Sequence, residues 1–140
     1  MLSLILAVAL ASAPSEAPVW HDGLDWHGVH VGIQRDAQGA WTLAWPFGQR
    51  VIAPPPFKAD TASALFDGLY AMAQDDLHQD SVSAIRDGAF DHGAPIPCHC
   101  FETGLKWPYV WTRDLSYAID LGLWRFDRVR ARNGLEFKLS

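Results

Sequence analysis

A chain of 140 residues, 49% hydrophobic and 19% charged, has the composition of a globular protein and room for one domain at most. Its net charge of -5 leaves no basic stripe to neutralise phosphates, which argues against a nucleic-acid partner. Seven tryptophans supply flat apolar faces with one polar N–H each, suited both to cores and to the C–H faces of sugar rings.

Leu2 to Leu10 is an apolar run, with small residues at Ala9, Ala11, Ser12 and Ala13. This is the pattern of a secretory signal over residues 1–13, cleaved after Ala11 or Ala13, and it implies a secreted or periplasmic protein. No Lys or Arg precedes the run, so an uncleaved interfacial anchor is the competing reading. A stable membrane span is not expected, because spanning takes about 20 apolar residues.

Residues 14–53 read as an N-terminal β region. Val29, Val31 and Ile33 alternate with His30, Gly32 and Gln34, the turn-forming stretch Asp36-Ala37-Gln38-Gly39 follows, and Trp41, Leu43 and Trp45 alternate again. That is a hairpin signal. His21, His27 and His30 are close in sequence, but positions 27 and 30 of a strand face opposite sides, so solvated histidines are expected rather than ligands. Pro54-Pro55-Pro56 excludes helix and central strand and predicts a stiff connector.

Beyond the prolines the period changes to 3.6. Asp60 or Thr61 can cap a helix with Leu65, Leu69, Met72 and Ala73 on its apolar face, ended by Gln74-Asp75-Asp76. A second short helix is expected over Ser81 to Ile85 with Gly88 as its stop, then a loop from Gly93 to Pro97. Cys98 and Cys100, one residue apart, are poorly placed to bridge each other. A zinc site would need about four ligands, and only His92 and His99 lie nearby. Buried or unpaired thiols, or a partner cysteine outside this chain, are left; no metal and no cofactor is expected. Thr112 is a candidate N-cap for a helix carrying Leu115, Ala118, Ile119, Gly122, Leu123 and Phe126 on one face, and a further helical stretch starts near Val129. The apolar positions Leu135, Phe137 and Leu139 run up to Ser140 without a cap, which reads as an interruption.

The segment that points to a chemistry is Gly104 to Ala118. Trp107, Tyr109 and Trp111 stand directly before Arg113-Asp114 at a loop-to-helix junction. Sugars are held by this combination: a ring to stack on, a carboxylate to accept hydroxyl protons and a guanidinium fork to donate. A capped helix with an internal salt bridge and core tryptophans would use the same residues.

Trp111-Thr112-Arg113-Asp114, followed by an apolar helix with Tyr117-Ala118, resembles the first-subsite motif of the six-hairpin glycosidases, the glucoamylase-like and debranching-type enzymes. The resemblance covers roughly Phe101 to Ser140. It implies a mostly α fold: a short β-hairpin region and then, over 54–140, the first helices of an incomplete (α/α)6 toroid. It also implies substrate-binding roles for Arg113, Asp114 and Trp111. In that family an acid and a base come from later loops, across a gap of about 6.5–9.5 Å in inverting enzymes. Glu102, just ahead of the motif, and Glu136, in the terminal helix, are the Glu residues beyond the N-terminal region; neither is assigned, and no catalytic residue is expected in this chain. Twelve helices of about 11 residues with connections of about 5 need roughly 190 residues, so the ring cannot close and exposed helix faces favour self-association. The expected function is the sugar-binding portion of a secreted glycoside hydrolase acting on oligo- or polysaccharides, inactive by itself. A small secreted carbohydrate-binding module is the alternative, and a secreted interaction protein with a tryptophan surface is the third reading.

Overall fold

The computed structural model describes residues 20–88 and 91–139; the signal read over residues 1–13 lies outside them. Four antiparallel strands follow one another as a meander: β1 (Trp20–Trp26), β2 (Val29–Arg35), β3 (Trp41–Trp45) and β4 (Gly48–Ile52). The β1–β2 turn places His27 and Gly28 at φ of 47° and 77°, the backbone that a two-residue hairpin turn requires. The β2–β3 hairpin is the one predicted by the alternation, with Ile33 opposite Leu43 and Arg35 opposite Trp41. Its turn is closed by the Asp36 carboxylate, which accepts from the Gln38 and Ala40 N–H groups at 2.9 and 2.8 Å.

Helix α1 (Ala64–Gln79) lies on the inner face of this sheet and completes a core of Ile33, Trp41, Leu43, Ile52 and Ala71. Helix and sheet meet at Gly68, where an added Cβ would fall 2.7 Å from Ile33 Cγ2. The cap is Ser63, whose hydroxyl accepts from the Phe66 N–H, and not Asp60 or Thr61. Thr61 instead donates its N–H and hydroxyl to the buried Asp67. The buried Gln74 grips the extended segment in the same way, accepting from the Phe57 N–H at 3.0 Å and donating to the Phe57 carbonyl at 2.7 Å. The inward face of α1 therefore runs Asp67, Gly68, Ala71, Gln74, with the predicted Leu65 and Met72 packed against the core beside it, while Leu69 and Ala73 are exposed. Asp75 and Asp76 do not end the helix; both accept from Arg50 of β4.

Ser81–Ile85, predicted as a short helix, is strand β5, paired antiparallel with β6 (Ile96–Phe101). A helix of five residues gains few bonds to offset the cost of its first turn, and Ser-Val-Ser-Ala-Ile pairs readily once a partner is supplied. The predicted loop ends early, because Ile96 and Pro97 belong to β6. Proline is tolerated where the register shifts between Val82 and Ala84 in a two-stranded ribbon.

Cys98 and Cys100 form a disulfide with each other, Cα atoms 5.2 Å apart, against the expectation that they would not. Extended residues two apart are separated by about 6.6 Å. His99 between them has φ of 46°, which breaks the extended geometry and brings the two Cα atoms closer together than a regular strand would, well inside the range a disulfide spans.

Helix α2 (Thr112–Leu121) starts one residue earlier than a Thr112 cap would give, since Trp111 occupies the cap position. Gly122 at φ 125° stops it, and a 3-10 turn over Leu123–Arg125 leads to α3 (Arg128–Leu139). The predicted single apolar face is thus broken in two. The second core joins Ile85, Cys98, Cys100, Val110 and Leu115, with Gly134 of α3 set against Leu115. Arg130 of α3 donates to the Val82 and Cys100 carbonyls at 2.6 and 3.3 Å, and Asn133 to the His99 carbonyl at 3.1 Å.

The mostly α, toroidal expectation is overturned. The described residues are 38% helix and 30% strand, and their architecture is mixed: a four-stranded antiparallel sheet, a β-hairpin and three helices. The three helices pack on strands or on one another locally and form no ring. Among the described residues no helix is long and apolar enough to cross a membrane.

Candidate functional site

The segment between β6 and α2 doubles back on itself. The Thr103 N–H and hydroxyl both donate to the Tyr109 carbonyl at 2.9 Å, and the Trp111 N–H donates to the Thr103 hydroxyl at 3.2 Å. The Trp107 N–H returns to the Gly104 carbonyl at 2.7 Å. Val110 and Leu115 are 1% and 6% exposed. Pinned at both ends by these apolar anchors, residues 111–114 are turned outward.

Trp107, Trp111, Arg113 and Asp114, the last three being the residues singled out from the sequence, line one open cavity of about 310 Å3 together with Thr103. The Trp107 and Trp111 rings are half-exposed and stand edge to face, centroids 6.3 Å apart and planes at 89°. A flat ligand can therefore lie on one indole with the other as a wall. Tyr109 backs Trp111 at 6.3 Å. Arg113 reaches Asp114 at 3.6 Å, with side chains 78% and 41% exposed. An ion pair that open contributes little to stability, so both groups remain available to a ligand. Asp114 also sits in the first turn of α2, where the helix dipole favours its charge.

Asp114 and Thr103 are shared with a second cleft of about 270 Å3, where Asp80 and Glu102 join them over an apolar floor. Burial raises the Glu102 pKa, and the Asp80 carboxylate adds to the effect. Burial likewise raises that of Asp80, helped by Asp76. A carboxyl that holds its proton donates a hydrogen bond as well as accepting one. Asp80 and Thr103 were missed from the sequence, because nothing in their spacing links them to Asp114. Glu136, by contrast, is paired on the surface of α3 with Arg132 at 3.4 Å. Among the described residues no group of three His, Cys, Asp or Glu side chains is placed to hold a metal, and the two cysteines are joined to each other.

Compared with known proteins, the chain matches no family model, no curated protein and no solved structure.

Proposed function

We propose that this protein binds carbohydrate at the Trp107–Trp111–Arg113–Asp114 cavity, as the sugar-holding portion of a secreted glycoside hydrolase acting on oligo- or polysaccharides. The carrying observation is that two half-exposed indoles, a carboxylate and a guanidinium share one cavity, at the lower end of the size range of small-molecule sites, about 300–1,000 Å3. A sugar ring lays its C–H face on an indole, Asp114 accepts protons from adjacent hydroxyls, and Arg113 donates to hydroxyl oxygens. The residues of this cavity account for holding a sugar, and no acid–base pair is assigned among them. The second reading is a carbohydrate-binding module without hydrolysis; it is favoured by two apolar cores that close locally, one under the sheet and one under the hairpin.

Titration with mono- and disaccharides, followed by tryptophan fluorescence, tests the binding. Saturable quenching that Trp111→Ala removes is the expected result, and indifference to every sugar would favour an interaction protein instead. Release of sugar from oligosaccharides by a product carrying this segment separates the hydrolase from the module. Self-association belongs to the same proposal, because Tyr117, Leu121, Val129 and Leu139 are all more than 60% exposed. Sedimentation should show mass rising with concentration, and a monomer throughout would remove that part.

A further inference from the structure

A further cavity, about 480 Å3, lies elsewhere, between the β2–β3 turn and the segment that follows the prolines. Its walls include Arg35, Asp36, Trp41, Lys58, Asp60 and Asp67, none of which lines the Trp111 cavity.

The charged groups here are not equivalent. Asp67 is engaged by the Thr61 N–H and hydroxyl, and Asp36 by two N–H groups of its own turn. Those two carboxylates serve the fold. Arg35 and Lys58 have neither a carboxylate within 4.0 Å nor a hydrogen-bond acceptor among the described residues. Arg35 is half-buried, with its guanidinium carbon 5.6 Å from the centroid of the Trp41 ring. That ring is 3% exposed and so fixed in place. A guanidinium held over an indole keeps its N–H edge free for a planar acceptor. Lys58 adds an exposed ammonium, and Asp60 an exposed carboxylate without a partner among the described residues.

We infer that this cleft binds a small hydroxylated oxyanion, a sugar acid or a sugar phosphate. Arg35 and Lys58 hold the carboxylate or phosphate group, and Asp60 accepts protons from the hydroxyls. The competing role for Arg35, a distant counter-charge to Asp67, calls for no ligand and gives Lys58 no part.

Isothermal titration of the full chain with glucuronate, glucose 6-phosphate and glucose decides between them. The expected result is saturable binding of an anion that excess glucose does not displace, since glucose goes to the Trp111 cavity on the reading proposed above. That binding weakens about tenfold or more in Lys58→Gln and in Arg35→Gln, since each removes a charge-assisted hydrogen bond, and is unchanged in Trp111→Ala. Whether glucuronate or glucose 6-phosphate binds more tightly assigns the anionic group. Lys58 is exposed, so its variant carries the test even where Arg35→Gln unsettles Trp41 and the fold. Failure of both anions to bind, displacement of the anion by glucose, anion binding that either folded variant leaves intact, or its loss in Trp111→Ala overturns the inference.

Discussion

Between the buried Val110 and Leu115, four consecutive side chains are presented to solvent and two of them carry charge. Asp114→Ala removes the acceptor from the cavity. A hydrogen bond to a charged group contributes about 1.5–3 kcal/mol, so sugar affinity should fall about 10- to 100-fold. Stability should stay nearly constant, because the only ion pair lost is the open one with Arg113; fluorescence titration and a urea melt on the same variant read the two effects separately. The neighbouring cleft makes a prediction of opposite character. Burial raises the pKa of Asp80 and Glu102 above their ordinary values of 3.8 and 4.5, so just above those values the folded state binds more protons than the unfolded one. Stability from these groups is complete below the ordinary values and is lost as pH rises through the folded ones. Glu102→Gln and Asp80→Asn should therefore flatten the fall in melting temperature on that side of the carboxyl range. A slope identical to that of the parent would count against it.

At the scale of elements, α3 is fastened to the hairpin where β5 and β6 slip out of register. Arg130 places one guanidinium on two strand carbonyls, so Arg130→Ala leaves both without their charged donor and should cost about 2 kcal/mol. The urea midpoint checks this, and a loss within about 0.5 kcal/mol, the ordinary range for surface changes, would show the clamp to be idle. The β2–β3 hairpin could be read in advance because its signals are local: a period of two, a turn-forming Asp36 and a Gly39 at positive φ. The β5–β6 pair could not. It depends on residues about 15 positions apart, on a bulge and on a left-handed His99, and spacing alone made the Cys98–Cys100 bond look unfavourable. The face of α1 was read only in part: Leu65 and Met72 do pack on the core, but Asp67 and Gln74 count as polar until Thr61 and Phe57 are known to lie against them. The toroid came from extending a four-residue motif to a whole architecture. Trp111, Arg113 and Asp114 do share a cavity, but a site motif says little about the fold that carries it.

At the scale of the molecule, the described residues form two cores with no residue in common, one under the sheet and one under the hairpin. Where the halves meet, Phe126 touches Phe57 at 5.7 Å and Tyr70 at 6.3 Å between ring centroids. Every residue of the sheet core comes before Asp80, and every residue of the hairpin core after it. The strand order of the sheet is also its order in the chain, which keeps loop closures short and folding fast. This division has a consequence on the ribosome, where synthesis at about 5–20 residues per second lets early units fold first. The half that holds Arg35 and Lys58 has all its core partners once Gln79 has emerged, before the codons for Trp107 to Asp114 need be read. Nascent chains stalled with Asp80 just outside the ribosome should resist trypsin at Arg35 and Arg50, and rapid cleavage there would mean that the sheet waits for the hairpin. Translation thus sets a sequence of events: a sheet first, and a sugar-holding loop added to a body already in place.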